Sequence, residues 1–269
     1  MSLETSILLT TLIVTLLMFA LVWLLHIRQM DVGIIDIYWG PGFAVIALLS
    51  YILHGEHSPF GIILLITTMA WSLRLGTHLW LRHKKSTTED RRYALMRKNA
   101  GPSFWWTNLF KIFFLQAIIM WLIATPQHLG LLYADTPLTF SAQLLFYAGI
   151  GLFIFGFLIE SIADWQLRRF KSKQENRQRT MSEGLWAYSR HPNYFGEVVL
   201  WWGFALMGFA LSNSLIAFAG PALLTFLILK VSGVTLLEKY LTSDKQGYSD
   251  YIKKTSAFFP APSNNKAHK

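Results

Sequence analysis

The sequence contains no cysteine and few charged residues. None of its 269 residues is a cysteine, which excludes thiolate catalysis, disulfide bonds and cysteine-ligated metal sites. Charged residues make up 14% of the chain, well below the roughly 25% of an ordinary soluble domain. No Gly-x-Gly-x-x-Gly motif follows a strand pattern, so a Rossmann-type dinucleotide domain is excluded as well. These absences argue against a soluble enzyme.

The chain does contain hydrophobic runs long enough to cross a bilayer as helices. They predict an all-α, polytopic membrane protein, a bundle of seven transmembrane helices at approximately 5–25, 33–53, 59–81, 106–125, 138–160, 194–212 and 215–236. We expect residues 1–260 to form a single domain and residues 261–269 to form a disordered tail. The first run is not expected to be a cleavable signal peptide, because Glu4 precedes it and no small-residue cleavage site follows.

Lysine and arginine are distributed unevenly between the connections. They occur in connections 1–2, 3–4 and 5–6 and in the C-terminal tail, whereas the N-terminus and the other connections have none. Because basic residues are retained on the cytoplasmic side, we expect the N-terminus outside and the C-terminus in the cytoplasm. The net charge of +9 then reflects topology rather than nucleic-acid binding. We predict a monomer in the inner (cytoplasmic) membrane, with its site open to the cytoplasm.

A few charged residues lie inside or at the ends of the predicted spans, where each of them needs a partner. Glu160, Asp164 and Arg168 recur at intervals of four residues and therefore share one helix face. They form either a salt-bridged helix end or a set of groups that holds a ligand. Asp36 lies early in span two. Its role is either structural, in an ion pair with Arg74 or as a helix cap, or functional, as a proton donor or as the group that holds Tyr38 against a substrate oxygen.

Two polar segments outside the spans allow two interpretations each. Residues 89–93 form either a solvated charge run or a folded loop that lies on the membrane and ends in Tyr93. Residues 238–255 combine tyrosines with lysines and form either an interfacial anchor or a surface that stacks an adenine and holds phosphates. The histidines lack the regular spacing of metal ligands, so the sequence predicts no metal site.

The most informative segment is GLWAYSRHPNYFGE at residues 184–197, directly before an apolar helix. A structural loop does not need Arg190, His191, Asn193 and Glu197 together at a membrane surface, whereas a site for an anionic cofactor does. Together with residues 36–40 and 89–93, Asp164 and Arg168, and the terminal Tyr/Lys block, this segment resembles the membrane steroid 5α-reductase superfamily. It most resembles the bacterial branch of that superfamily, domain of unknown function 1295.

The resemblance implies a seven-helix bundle that holds NADPH in its cytosolic half and reduces the carbon–carbon double bond of a 3-oxo-Δ4-steroid. Glu160, Asp164, Asn193 and Glu197 would face the nicotinamide and ribose, although the steroid reductases carry Asn at the position of Glu160. Basic and aromatic residues would face the phosphates or close over the cofactor, and this implied set comprises Arg82, Arg168, Lys171, Arg179, Arg190, His191, Tyr240, Tyr251 and Lys254.

The resemblance also implies a catalytic pair, a carboxylate and a tyrosine that polarise the ketone of the substrate. Asp36 matches the carboxylate. Span three ends without a tyrosine, so Tyr38, His78 or Tyr93 takes the second position. The expected substrate is a steroid or another lipid-like enone, and the expected surroundings are membrane lipids.

Two other functions remain open. The run Arg-His-Pro-x-Tyr-x-Gly is shared with isoprenylcysteine carboxyl methyltransferases, which favours an S-adenosylmethionine-dependent methyltransferase acting on a lipid or prenyl substrate. The long basic loops fit that cofactor less well, because it carries no phosphate. A non-enzymatic lipid-binding bundle would also explain basic loops that face anionic headgroups, but it does not require Glu160, Asp164 and Glu197 in the spans.

Overall fold

The structure is a computed structural model that describes residues 1–55, 58–85, 89, 91–176, 178–231, 233, 234, 238 and 247–262. Across these residues the protein is helical and contains no strand; the extended backbone pairs at an isolated bridge between Ser189 and Ser256. This confirms the all-α class. Tyr240, one of the residues of the implied cofactor site, lies outside the described residues, as do residues 263–269 of the predicted tail.

The helices of the N-terminal half are α1 (Leu3–Gln29), α2 (Ile34–Ile37), α3 (Trp39–His54), α4 (Pro59–Lys84), α5 (Arg91–Ala100), α6 (Phe104–Asn108), α7 (Leu115–Ile123) and α8 (Thr125–Leu132). A 3₁₀ turn (Gly101–Ser103) joins α5 to α6, and a π-helical segment (Leu109–Phe114) joins α6 to α7. The helices of the C-terminal half are α9 (Phe140–Ser172), α10 (Pro192–Ser212), α11 (Ala219–Phe226) and α12 (Tyr248–Lys254), with 3₁₀ turns at Gln174–Asn176, Gly184–Ala187 and Leu215–Phe218 and a π-helical segment at Leu227–Val231.

Five helical segments are long and apolar enough to cross a membrane: Leu3–Gln29, Pro59–Lys84, Tyr93–Ile123, Phe140–Ser172 and Pro192–Ser212. Each lies at the position of a predicted span, and the protein is therefore an integral membrane protein. At the positions of predicted spans two and seven the described chain has the shorter apolar helices Trp39–His54 and Leu215–Val231. The number seven and the orientation of the termini stay predictions.

The helix starts follow from local chemistry. Ser2 caps α1, because its hydroxyl accepts the backbone N–H of Thr5, and this satisfies one of the free donors at a helix start. Ser58 caps α4 in the same way, and Pro59 occupies the first helical position, where its missing N–H costs nothing. Helix α1 ends at Met30, which adopts a left-handed conformation, and the chain turns there into α2.

The chain divides into two compact units. The first consists of Met1–Phe146 and Met207–Gly220. Within it, α3 packs against α1, α4, α7 and α8. Glycines bring α3 and α4 into backbone contact, since a Cβ on Gly40 would lie 2.8 Å from the backbone nitrogen of Gly76. Phe43 and Trp71, both buried, meet edge to face beside this crossing, with ring centroids 5.4 Å apart.

The second unit consists of Tyr147–Leu206 and Pro221–Lys269. Within it, α9 and α10 touch along a line of glycines. A Cβ on Gly196 would lie 2.5 Å from the backbone nitrogen of Glu160, and a Cβ on Gly203 would lie 2.6 Å from the carbonyl oxygen of Gly149. Only glycine permits this separation, and the close approach fixes which residues of the two helices face one another.

Candidate functional site

In the first unit, a chain of hydrogen bonds that begins at Asp36 links four helices, α2, α5, α7 and α3. The Tyr93 hydroxyl donates to Asp36 Oδ1 at 3.3 Å, and Gln116 Nε2 donates to the Tyr93 oxygen at 3.4 Å. Trp39 Nε1 donates to Gln116 Oε1 at 2.7 Å. Arg82 Nη2 lies 3.8 Å from Asp36 Oδ2. We call these residues (Asp36, Tyr93, Gln116, Trp39 and Arg82) the carboxylate–tyrosine cluster.

The position of Tyr93 depends on an anchored loop. Glu89 Oε1 accepts the backbone N–H of Val32 at 3.0 Å and pairs with Arg97 at 2.8 Å. Arg97 Nη2 also donates to the Met30 carbonyl at 3.0 Å. These contacts attach the start of α5 to the turn between α1 and α2, which carries Asp36. The structure therefore favours a folded loop over a solvated charge run at Glu89 and Tyr93.

The three candidates for the second residue of the catalytic pair have different surroundings in the structure. Tyr93 is 5% exposed and touches Asp36. Tyr38 lies between α2 and α3 and is half-buried, and His78 lies on α4, also half-buried. Arg82, expected near cofactor phosphates, instead lies beside Asp36. Tyr93 is thus the candidate whose hydroxyl the structure brings to the carboxylate.

In the second unit, buried polar groups gather where α9 meets α10. Glu160 and Asp164 are 3% and 6% exposed. Asn193 Nδ2 donates to Asp164 Oδ1 at 3.1 Å, and Gly196 touches the backbone at Glu160. Glu197, half-buried, is one helical turn after Asn193. We call Glu160, Asp164, Asn193 and Glu197 the acid–amide cluster.

The acid–amide cluster offers acceptors. Asn193 Oδ1 is buried and has no hydrogen-bond partner among the described residues. A buried acceptor without a donor costs about 1–3 kcal/mol, so a ligand with an amide N–H or a hydroxyl would satisfy it. Carboxylates accept from the same groups. The cluster therefore fits an uncharged portion of a ligand, such as a carboxamide or a ribose, and would repel a phosphate.

Arg190 and His191 face a segment from the C-terminus of the chain. Arg190 Nε lies 2.9 Å from Glu238 Oε1, and Arg190 Nη1 donates to the Ile252 carbonyl at 3.1 Å. The backbone N–H of Arg190 donates to the Ser256 carbonyl at 2.8 Å. His191 Nε2 lies 3.3 Å from the same Glu238 oxygen. A phosphate would have to compete with Glu238 for these two side chains.

Further contacts complete this C-terminal clasp, by which residues 247–261 hold residues 184–191. Ser189 Oγ donates to the Phe258 carbonyl at 2.8 Å, and the Ala261 N–H donates to the Tyr188 carbonyl at 3.0 Å. The Tyr251 hydroxyl, expected to close over a cofactor, donates to the carbonyls of Trp186 and Ser189. Ala261, placed in the tail by the predicted boundary, is thus bonded to the loop.

Burial shifts the titration of three clasp residues. It lowers the pKa of His191 below its usual value, although Glu238 acts in the opposite direction. It raises the pKa of Tyr248 to about 12 and raises that of Tyr251 as well. Because burial disfavours the charged form of each group, all three are neutral near pH 7 and act as hydrogen-bonding or packing groups.

The remaining basic residues of the implied cofactor site are exposed: Arg168, Lys171, Arg179 and Lys254. Arg168 follows Asp164 by one helical turn on α9. Arg179 Nη1 donates to Asn176 Oδ1 at 3.2 Å. The second unit therefore combines buried acids and an amide on α9 and α10 with solvent-accessible cations at the end of α9 and in the connection after it.

Sequence reasoning missed Gln116 and Trp39. Gln116 interrupts the apolar run 112–124 of a predicted span, and a polar side chain at such a position needs a partner. That signal was present but did not identify the partner. Trp39 follows Tyr38 in the segment 36–40, but no local pattern indicates that its indole N–H orients another side chain.

Comparisons with known proteins identify the family to which the chain is related. The family model "Protein of unknown function (DUF1295)" matches residues 22–255. An uncharacterized protein of Schizosaccharomyces pombe is 26% identical over 212 residues, which cover 71% of this chain and 60% of that protein. Human 3-oxo-5-alpha-steroid 4-dehydrogenase 1 is 33% identical over 73 residues, 27% of this chain and 28% of the enzyme. The mouse enzyme of the same name is 35% identical over 72 residues, with the same coverage.

The chain spans 60% of the length of the yeast protein and 28% of the length of the human steroid dehydrogenase. No solved structure matches. The relationship to steroid 5α-reductases points to a membrane reductase. Because the family model covers most of the chain, the protein belongs to the DUF1295 family, which is part of the steroid 5α-reductase family.

Proposed function

We propose that the protein is an NADPH-dependent reductase that reduces the conjugated carbon–carbon double bond of a 3-oxo-Δ4-steroid or a similar lipid-like enone. One observation carries this proposal: the buried Tyr93 hydroxyl is hydrogen-bonded to Asp36 and is itself the acceptor of a bond from Gln116. An oriented phenol beside a carboxylate is the group that the reduction of an enone requires at the ketone oxygen.

The chemistry at Tyr93 follows from these hydrogen bonds. Addition of hydride to the β-carbon would generate an enolate, with negative charge on the ketone oxygen, and uptake of a solvent proton at the α-carbon would complete the reduction. Trp39 fixes the amide of Gln116, so that Gln116 Nε2 donates to the Tyr93 oxygen and leaves the phenolic proton free for another acceptor. That acceptor is Asp36 in this structure and the ketone oxygen during the reaction. A donor of this kind is worth about 2.7–4 kcal/mol of transition-state stabilisation.

NADPH would supply the hydride, and the acid–amide cluster would hold its uncharged groups. Asn193 Oδ1 would accept from the carboxamide or a ribose hydroxyl, as would the Asp164 carboxylate. The exposed cations Arg168, Lys171 and Arg179 would pair with the phosphates, since guanidinium groups bind phosphate with charge-assisted hydrogen bonds. The buried acids and amide would thus bind the neutral nicotinamide and ribose, and the neighbouring exposed cations would bind the anionic phosphates of the same dinucleotide.

Thermal unfolding of the purified protein tests the cofactor. A ligand that binds only the folded state at 100 times its Kd stabilises it by about 2.7 kcal/mol. We expect a saturable rise of Tm with NADPH. Asn193→Ala should weaken NADPH binding about tenfold, which corresponds to about 1.4 kcal/mol. Asn99→Ala, on the exposed surface of α5, serves as the control. Equal NADPH affinity in the Asn193 variant and the wild type would remove Asn193 from the site.

The same titration discriminates against the methyltransferase alternative. The motif shared with that family includes Arg190 and His191, which in this chain contact the C-terminal clasp and so do not favour either cofactor. A saturable Tm shift with S-adenosylmethionine and none with NADPH would reject the reductase proposal. A shift with neither, together with no enone reduction, would favour the lipid-binding bundle.

We also propose that the protein is a monomer in the inner membrane of a bacterium and that all seven apolar helices cross this membrane. Helices α2 and α3 follow one another over residues 34–54, with a break at Tyr38. The combined segment is long enough to cross a bilayer. The basic connections would then face the cytoplasm. Reporter fusions that are active on only one side of the membrane, placed after His54 and after Ser212, should both report an external location. A cytoplasmic signal at either position would refute this topology.

A further inference from the structure

The first unit has a groove between α3 and α4 that the proposed function does not use. Its volume is about 440 Å³. Pro41, Val45 and Leu48 line it from α3, and Met69, Leu73 and Trp80 line it from α4. Its wall is almost entirely apolar. Near the Trp80 end, Gly40 and Gly76 bring the two helices into backbone contact.

The length of the groove matches one leaflet of a bilayer. Met69 and Trp80 are eleven positions apart on one helix, which is about 16 Å at 1.5 Å per residue. The hydrocarbon core of a bilayer is about 30 Å thick, so one leaflet contributes about half of that. The groove is therefore about as long as a single acyl chain of one leaflet.

The Trp80 end of the groove is cationic. The last turn of α4 carries Arg82, His83 and Lys84. Lys84 Nζ lies 5.5 Å from the centroid of the Trp80 ring, and both side chains are exposed. Tryptophan and lysine occur together at the depth of lipid headgroups. In the opposite direction, residues 59–73 of α4 carry no charge. The groove thus has one headgroup end and one hydrocarbon end.

We propose that this groove is a binding site for an anionic phospholipid. One acyl chain lies along Pro41, Val45 and Leu73, and the phosphate pairs with Lys84 beside Trp80. The charge at one end selects an anionic over a zwitterionic headgroup, because a lysine near an anionic lipid contributes about 1 kcal/mol. This site is independent of the proposed reductase activity and persists if that activity is absent.

The test uses the full chain, purified in a nonionic detergent and stripped of lipid. Thermal unfolding and native mass spectrometry are recorded during titration with phosphatidylglycerol and, in parallel, with phosphatidylcholine of the same acyl chains. We expect phosphatidylglycerol to raise Tm saturably and to be retained at one molecule per chain, at a concentration about fivefold lower than phosphatidylcholine requires. Equal behaviour of the two lipids would overturn the proposal.

Two pairs of variants locate the site. Lys84→Gln should raise the apparent Kd for phosphatidylglycerol about fivefold and abolish the preference, whereas Lys98→Gln, an exposed lysine on α5, should change neither. Val45→Phe should fill the groove and reduce retention of both lipids, whereas Leu17→Phe on the exposed face of α1 should not. Because Lys84 is exposed, its variant is informative even where Val45→Phe fails to fold.

The identity of the occupant is tested by competition. Addition of a 3-oxo-Δ4-steroid should leave the retained phosphatidylglycerol in place. Displacement of the lipid by the steroid in the wild type, together with loss of that displacement in Val45→Phe, would assign the groove to an enone and overturn the phospholipid assignment. An unchanged preference for phosphatidylglycerol in Lys84→Gln would overturn it as well.

Discussion

Replacement of Tyr93 by phenylalanine removes one hydroxyl and leaves the aromatic ring in place. The ring is 5% exposed, so its packing is retained. The described hydrogen bonds of the hydroxyl, to Asp36 and from Gln116, measure 3.3 and 3.4 Å, longer than the usual range for such bonds. Asp36 keeps Arg82 beside it. We therefore expect the free energy of unfolding to fall by about 1 kcal/mol or less, and the variant to fold.

The effect on turnover should be much larger. If Tyr93 donates to the ketone oxygen as negative charge develops there, the loss is about 2.7–4 kcal/mol of transition-state stabilisation, or 10²–10³-fold in kcat. Because the bond strengthens only in the transition state, KM should change little. The affinity for NADPH should remain that of the wild type, since the residues proposed for the cofactor belong to the acid–amide cluster.

The assay follows the oxidation of NADPH in the presence of a 3-oxo-Δ4-steroid, with the reduced product identified by mass spectrometry. Tyr133→Phe provides a matched control, because Tyr133 is 40% exposed and lies in the same unit. A kcat of the Tyr93 variant within about threefold of the wild type, with a Tm near the wild-type value, would refute the assignment of Tyr93 as proton donor. A large drop in Tm would instead show that the hydroxyl supports the fold.

Three further changes test neighbouring parts of the argument. Gln116→Leu should lower kcat with little effect on KM, because the Tyr93 oxygen loses the donor that orients it, and Gln116→Glu should be equally slow, since a carboxylate cannot donate. An equal kcat in the wild type and both variants would remove Gln116 from the mechanism. Gly196→Ala should lower Tm, because its Cβ would meet backbone atoms at 2.5 and 2.7 Å and overpacking costs about 1–3 kcal/mol. Gly151→Ala is the control, because its Cβ would meet nothing within 4 Å, and equal Tm values of the two variants would contradict the close packing of α9 and α10. Burial lowers the pKa of His191 from 6.5, so the folded state binds fewer protons, and the free energy of unfolding should be highest above pH 6.5 and fall as the pH is lowered. His128, whose pKa burial lowers to about 4, acts in the same direction. His191→Gln should therefore remove part of this pH dependence of Tm, and an unchanged slope of Tm against pH would contradict the burial of His191.

The positions of the predicted spans agree with the helices because hydropathy reports where a segment is apolar. It does not report where a helix changes its hydrogen bonding. The predicted span 106–125 reads as one apolar run, yet the helical segment Tyr93–Ile123 that contains most of it includes a 3₁₀ turn at Gly101–Ser103 and a π-helical segment at Leu109–Phe114. The π-helical segment ends one residue before α7, which carries Gln116 in its first turn. No local pattern predicts this change of register, because it depends on packing against α1.

The residues of the acid–amide cluster could be predicted from the sequence, whereas the hydrogen bond between its two helices could not. Glu160 and Asp164 share a helix face by their spacing, and the buried positions of both follow from the apolar run around them. The bond from Asn193 to Asp164 joins residues that are 29 positions apart. The carboxylate–tyrosine cluster joins residues 57 positions apart at Asp36 and Tyr93. Contacts of this range depend on how helices pack, and a single sequence does not encode them in any local pattern.

The contacts of the clasp indicate a structural role for the shared motif in this chain. In this chain, Ser189 and Arg190 bind carbonyl groups of the C-terminal segment, which requires only that the segment folds back onto the loop. A motif with that role carries no information about the reaction. The discrimination between hydride and methyl transfer must then lie in residues outside the backbone contacts of the motif: Asn193 and Glu197 on α10, and the phenol of Tyr93. A methyl transfer to a carboxylate needs no proton donor at a ketone oxygen, so a buried Tyr93 hydroxyl held between Asp36 and Gln116 favours reduction.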